Sequence, residues 1–239
     1  MKAYVESLLE LLYPEKNTCF FCETHDEEIN DRYICQDCKR TMKKIVPPIC
    51  IKCSKPIDMN APDELCSDCR KNDHSFEMSR SVYAYEGSVK KGIYMFKYYN
   101  KPYFYRFFGK CLVDCMKNNE YNKFDMVVPV PLHRSKLRIR GYNQSSLLAK
   151  YISRNTDIPY GDVLKRIKKT PKQSQMTKEE RRKNLKEAFD VKGSKIESLT
   201  GKTVLLVDDV YTTGSTADEC SKTLLKNGAS KIYVMTIAR

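Results

Sequence analysis

Eight of the eleven cysteines in this 239-residue chain fall in a pattern that repeats itself. Cys19, Cys22, Cys35 and Cys38 are spaced C-x2-C-x12-C-x2-C, and the same spacing returns 31 residues later at Cys50, Cys53, Cys66 and Cys69. A C-x2-C pair places two thiolates on one tight knuckle, and two knuckles complete a tetrahedron around Zn2+. Four thiolates leave no open coordination position, so the repeat predicts two closed, structural zinc sites. Pairing within each repeat is favoured because each half is self-sufficient; an interleaved pairing satisfies the same count. A disulfide framework would need an oxidising compartment. The start of the chain, MKAYVESLLELLYP, is interrupted by Glu6 and Glu10 and lacks the basic start and small-residue cleavage site of a secretion signal. No apolar stretch approaches the ~18 residues of a membrane helix. The expectation is a cytoplasmic protein, not membrane-embedded, with reduced cysteines.

Three cysteines fall outside the repeat, and two of the three histidines lie near it. Cys111, Cys115 and Cys220 lie on helical-looking stretches and read as buried small apolar side chains. His25 and His74 lie near the ribbons but off the ligand spacing, and read as surface residues.

The formal charge of +13 is unevenly spread. Residues 134–186 carry 16 basic and 4 acidic side chains, whereas residues 1–80 carry 12 and 15. Two zinc ions held by eight thiolates take the chain to about +9 and leave the ribbon module near −7. A polyanion is therefore a reasonable partner for the basic block, and the acidic ribbons argue against a zinc-ribbon DNA reader. The bland reading of the block is a solvated basic face.

Beyond Cys69 the composition changes. Alternating or apolar runs predict strands at 81–85, 125–130, 162–167, 188–191, 203–207 and 231–237. Helical periods predict helices at 88–99, 102–118, 143–154 and 215–227, the last closed by Gly228. Strands alternating with helices imply an α/β fold on a parallel sheet. The aromatic stretch 94–108 reads chiefly as the packing of two helices, with a tyrosine or two at the surface. Two domains follow: residues 1–76, a double zinc ribbon with an N-terminal helix, and residues 77–239.

The sharpest chemical signal is VLLVDDVYTTGST at 204–216. An apolar strand ends in Asp208 and Asp209. A turn with Thr212, Thr213 and Gly214 follows, and Ser215 and Thr216 open a helix. Glycine lets the backbone bend close to an anion. The first amides of the helix are unpaired and point at that anion. The adjacent carboxylates suit a ribose diol, directly or through Mg2+. Such a site belongs at the carboxyl end of a strand in a parallel sheet. No Walker loop is present.

This loop resembles the 5-phosphoribosyl-1-pyrophosphate (PRPP) loop of type I phosphoribosyltransferases at all thirteen positions. The stretch FDMVVPVPLHRSKLRIRGYNQSSLLAK at 124–150, with Arg140-Gly141-Tyr142-Asn143-Gln144, resembles the signature of the ComF/ComFC family of competence proteins. A later family element stands at Gln173 or Gln175, Glu180-Arg181, Asn184 and Ala188-Phe189. With the cysteine repeat, the resemblance spans nearly the whole chain. It implies a type I phosphoribosyltransferase-like domain behind the ribbons. By resemblance, Asp208 and Asp209 are the catalytic pair and hold the ribose of PRPP, with Mg2+. Thr212, Thr213, Gly214, Ser215 and Thr216 hold its 5-phosphate. The loop after Val130, with Arg134, Lys136, Arg138 and Arg140, lies near the pyrophosphate or nucleic acid. The basic segment 165–186 takes the place of a mobile loop that covers the active site in catalytic relatives. His133 is read evenly as structural or catalytic.

Two functions follow from the resemblance. One is the handling of single-stranded DNA during natural transformation, beside a helicase-like competence partner. The other is a working phosphoribosyltransferase with an acceptor the sequence does not name. No N-terminal cysteine nucleophile supports glutamine amidotransfer.

Overall fold

The computed structural model describes residues 17–29, 33–59, 62–118, 123–168 and 185–239. The N-terminal helix expected within residues 1–16 lies outside the described residues. So does most of the basic segment, with Gln173, Gln175, Glu180, Arg181 and Asn184.

Each cysteine repeat gathers its own four sulfurs. All four ligand atoms lie within 4.8 Å of one another in each group. Cys22 Sγ and Cys35 Sγ are 3.6 Å apart, as are Cys53 Sγ and Cys66 Sγ. A tetrahedral zinc with bonds near 2.3 Å sets its sulfurs about 3.8 Å apart, so the sites fit the ion, paired within repeats. A one-turn helix carries the last cysteine of each repeat, α1 (Gln36–Arg40), capped by Cys35, and α2 (Ser67–Lys71), starting after Cys66. Among the described residues, Cys111 and Cys115 join no metal-competent cluster. Cys220 is fully buried as expected, whereas Cys111 and Cys115 are only half-buried, and Cys111 Sγ lies in hydrogen-bond contact with the Tyr83 hydroxyl at 3.4 Å.

Four strands form the central sheet, in the order β1-β6-β5-β2. They are β1 (Met78–Tyr83), β2 (Met126–Pro129), β5 (Thr203–Val210) and β6 (Lys231–Ala238), and every neighbouring pair is parallel. Val127 sits opposite Leu205, and Leu205 opposite Tyr233. Successive side chains leave opposite faces of a strand. Leu205, Val207, Met235 and Ile237 therefore enter one core layer, while Val204, Leu206, Ile232 and Val234 enter the other. Burial on both faces is why these strands read as unbroken apolar runs.

The first layer contains α3 (Gly87–Tyr98), α4 (Phe104–Asn118), α6 (Gln144–Asn155) and the first ribbon. Phe20 and Phe21, between Cys19 and Cys22, drive into the aromatic rows of α4. The Phe21 ring lies edge-on to Phe104 at 5.0 Å and to Phe107 at 5.1 Å. Gly92 on α3 makes room, since a Cβ there would collide with the Phe21 ring.

The second layer contains α7 (Ser215–Lys226), the second ribbon and a separate two-stranded sheet. In that sheet β3 (Leu164–Arg166) pairs antiparallel with β4 (Phe189–Val191). These two segments were expected among the parallel strands. Their one-sided burial explains the difference: Leu164, Phe189 and Val191 turn inward while Lys165 and Asp190 form an ion pair of 2.9 Å at the surface.

Candidate functional site

Strand β5 does not stop at the acids. It continues in register with β6 as far as Val210, opposite Ala238, so Asp208 and Asp209 are strand residues at the carboxyl end of the sheet. Asp209 is 8% exposed. Its Oδ1 meets Lys97 Nζ from α3 at 2.6 Å. Asp208 Oδ1 accepts from Ser145 Oγ at 2.9 Å and from the Asp209 amide at 2.9 Å. Burial and the adjacent Asp209 carboxylate push Asp208 up to about 7, against Lys97 and these hydrogen bonds. Burial alone would depress the Lys97 ammonium, but Asp209 and then Asp208 hold it above the usual lysine range.

The loop that follows bends at Gly214, whose φ of 79° lies in the left-handed region. A Cβ at this position would collide with the Tyr211 hydroxyl. Gly214 is also the N-cap residue of the 12-residue helix α7, with no side chain capping it. The loop thus offers the first amides of α7 where a glycine alone permits close approach. Thr213 Oγ1 and Ser215 Oγ share a hydrogen bond of 2.8 Å.

The basic residues after Val130 form a helix rather than the expected loop, α5 (Arg134–Arg140). His133 caps it: its Nδ1 accepts from the Ser135 amide at 3.2 Å, a structural role. Gly141, at φ 79°, ends it. The motif after this helix is a set of ties. Arg140 donates to Gln144 Oε1, and its guanidinium lies 5.3 Å from the centroid of the Tyr98 ring. Tyr142 Oη and Gln144 Nε2 both donate to the Phe96 carbonyl, at 2.6 and 2.9 Å. Asn143 Nδ2 donates to the Val130 carbonyl at 3.0 Å, while its Oδ1 caps α6. These ties fix α5 and the start of α6 against α3.

One cleft of about 1010 Å³ collects most of the residues picked out in the sequence. Asp208, Asp209, Thr212, Gly214 and Thr216 line it with Lys136, Arg138 and Arg140. Arg134 is exposed and outside this lining. Thr213 and Ser215 turn to a smaller cavity behind the loop, which Thr212 also reaches. Two residues absent from the sequence expectation join the site, Lys97 from α3 and Ser145 from α6, and Arg166, at the start of the basic segment expected to cover the site, lines the cleft from strand β3 rather than from a loop. Asn143 marks the start of α6 and so places Ser145 at its first turn. No comparable signal marked Lys97, which reaches the site through tertiary packing.

Two other expectations change. His74 is not a surface residue: its side chain is 9% exposed, stacked on Phe76 at 4.8 Å and 4.0 Å from Asp218. The aromatic stretch divides. Phe96, Phe104, Phe107 and Phe108 are core, but Tyr94, Tyr98 and Tyr99 are 50%, 62% and 60% exposed. The Tyr94 ring lies 5.0 Å from Tyr98 and 5.6 Å from Tyr99, and this cluster meets the cleft at Tyr98.

Comparison with known proteins agrees with this architecture. The double zinc ribbon domain matches residues 8–70, and the phosphoribosyl transferase domain matches residues 141–239. Competence protein F of Haemophilus influenzae is 34% identical over 86% of this chain and 90% of its own length. Competence protein ComFC of Bacillus subtilis is 30% identical over 87% of this chain and 85% of its own. The DNA utilization protein YhgH of Escherichia coli is 35% identical over 48% of this chain and 49% of its own. A solved purine phosphoribosyltransferase from Pyrococcus horikoshii shares 18% identity over 56% of this chain and 72% of its own, with a TM-score of 0.32. No helix among the described residues is long and apolar enough to cross a membrane. With two closed four-cysteine sites, a parallel sheet carrying an acidic strand end and a glycine-bent loop, and two competence proteins alike over most of its length, the chain belongs to the ComF/ComFC family.

Proposed function

We propose that this protein binds PRPP with Mg2+ in the cleft at the ends of β2 and β5, and single-stranded DNA along the cleft's basic rim, in the uptake of DNA during natural transformation. One observation carries the reading. An acidic pair, a helix start behind a left-handed glycine and three cations of α5 converge on one cleft. A ligand with a diol and phosphates at both ends matches that sequence of charges. In this reading Asp208 and Asp209 take the ribose hydroxyls, and Lys97 gives up part of its contact with Asp209. The amides of 214–216 and the Thr212, Thr213, Ser215 and Thr216 hydroxyls take the 5-phosphate. Lys136, Arg138 and Arg140 take the pyrophosphate. Mg2+, when bound, would supply charge neutralisation between the carboxylates and the pyrophosphate.

DNA handling is supported by the names of the relatives and by the surface beside the cleft. The exposed rings of Tyr94, Tyr98 and Tyr99 cluster, and Tyr98 lies against Arg140 and lines the cleft with Arg138. Exposed rings among cations suit single strands, whose bases stack while their phosphates pair. In this reading residues 1–76 are a zinc-bound scaffold for residues 77–239, and a helicase-like competence protein is the partner that draws the strand.

The test is calorimetry of PRPP with Mg2+ on wild type and on Asp208→Ala/Asp209→Ala, followed by DNA binding by both proteins. Binding by wild type and loss in the variant supports the sugar-phosphate site; no heat in wild type overturns it. DNA binding that is absent at low salt, or indifferent to salt, overturns the nucleic-acid part.

A second reading, active phosphoribosyl transfer, is favoured by two adjacent acids lining the same cleft as the cations of α5. As the C1–oxygen bond to pyrophosphate breaks, positive charge grows on the ribose ring, and nearby carboxylates stabilise it. The cations of α5 hold the departing anion. Pyrophosphate release from PRPP with candidate bases or amines tests this; release no faster than in the Asp208→Ala/Asp209→Ala variant overturns it.

A further inference from the structure

The two ribbons touch different things. The first buries Phe20 and Phe21 against α4, a face of the sheet away from the phosphate loop. The second lies directly behind that loop. Arg239, which follows β6, joins them. Its Nη1 donates to the Cys53 carbonyl and lies 2.9 Å from Cys53 Sγ, one of the four zinc ligands. Its Cζ lies 5.1 Å from the centroid of the Tyr211 ring. Tyr211 is 5% exposed, and its hydroxyl fills the place a Cβ would take at Gly214. The Arg239 backbone is fixed by the Tyr83 carbonyl at 3.1 Å and the Tyr85 amide at 2.8 Å, and its guanidinium is held between Cys53 and the Tyr211 ring. A second tether runs beside it: the Ser75 amide donates to Asp218 Oδ1, in the first turn of α7, at 2.7 Å.

We propose that Arg239 couples the second zinc site to the phosphate loop. Zinc at Cys50, Cys53, Cys66 and Cys69 then sets how firmly the loop grips a sugar phosphate, whereas zinc at Cys19, Cys22, Cys35 and Cys38 does not. The inference rests on the sugar-phosphate reading of the loop. Arg239 touches no substrate in this account; it is a positioning residue. A donor to a ligating sulfur fixes the orientation of that ligand and stabilises its thiolate. The same planar cation, held against Tyr211, sets where the tyrosine hydroxyl meets Gly214. Ligand at the loop and metal at the second ribbon therefore favour one arrangement of the same three residues, and such coupling is reciprocal.

The experiment uses the full zinc-loaded chain and PRPP with Mg2+ as the probe. Zinc release to a zinc-selective chromogenic chelator is followed with and without PRPP, beside calorimetry of PRPP binding. In wild type, PRPP slows one of two zinc-release phases and leaves the other unchanged. Arg239→Met abolishes that protection and speeds the same phase, in line with the roughly 10- to 100-fold loss of metal affinity seen when such partners are removed. It also weakens PRPP binding by about 5-fold or more. Two phases protected equally, neither protected, or unaltered PRPP binding in Arg239→Met overturns the coupling. The wild-type protection data decide the matter even where Arg239→Met folds poorly. Absence of PRPP binding to wild type overturns the sugar-phosphate reading and the coupling together. Binding without protection overturns the coupling alone.

Discussion

Lys97 Nζ lies 2.6 Å from Asp209 Oδ1, so one of the two adjacent carboxylates at the end of β5 is neutralised by a cation from a different element, helix α3. The pair is mostly shielded, with side chains 21% and 12% exposed. It offsets part of the repulsion between two acids that stand side by side.

Lys97→Met therefore leaves the acids unbalanced. Removing one partner of a shielded pair is costly because the other stays buried and charged. Discounted for partial exposure, the loss is about 1–3 kcal/mol in urea denaturation at neutral pH. Adding Asp209→Asn in the same background restores most of it. A double-mutant cycle with no coupling between the two positions contradicts the assignment.

Asp208 gives the site a pH dependence of definite sign. Its folded value, up to about 7, lies above the unfolded value near 3.8. The folded state thus holds this proton longer than the unfolded chain does. The contribution of Asp208 to stability is full below the unfolded value, falls as pH rises to about 7, and is level above that. Affinity for a diol with Mg2+ runs the other way, rising through about pH 7 as the carboxylate forms. Asp208→Asn removes both slopes and raises the melting temperature at alkaline pH. Melting and calorimetry across about pH 5 to 8.5 check the two slopes together.

Gly214→Ala meets two obstacles: a left-handed φ of 79° and the Tyr211 hydroxyl. The backbone cost alone is about 1–2 kcal/mol. PRPP binding is expected to fall beyond detection while the far-ultraviolet dichroism is preserved. Tyr211→Phe in the same background relieves the collision but not the backbone strain, so melting temperature recovers only in part. Full recovery of binding would contradict the cradle geometry.

Arg138 and Tyr98 separate charge from stacking at the rim of the cleft. Arg138→Ala is expected to flatten the salt dependence of single-stranded DNA affinity by about 0.7 in the log–log slope, one phosphate contact's share. Tyr98→Ala is expected to cost about 1–3 kcal/mol at every salt concentration, because a stacked base releases no counterions. Fluorescence anisotropy of a labelled oligonucleotide at several salt concentrations reads both. Identical salt curves for the two variants would contradict the division.

What the sequence disclosed was what lies contiguous in it. The zinc ligands and the loop 204–216 are local patterns, and local chemistry dictates them. The helix α5 was hidden because seven residues are too few to show a period, although Gly141 was a stop signal. The continuation of β5 through Asp208 and Asp209 was hidden because two acids look like the end of a buried strand. Their pairing with β6 up to Val210 keeps them in it. Lys97, Ser145 and Arg166 arrive from three elements distant in sequence, and no spacing rule connects them. The burial of His74 has the same origin in part, since Asp218 meets it only in the folded chain.

Phe20 and Phe21 stand inside the first C-x2-C knuckle, and their rings complete the packing of α4. Zinc at Cys19, Cys22, Cys35 and Cys38 pins the backbone on both sides of these rings, and so steadies the seam of α4 at Phe104 and Phe108. Metal at this ribbon therefore acts at a distance from its own ligands, and stripping it is expected to lower the melting temperature of the helical layer as well as of the knuckle.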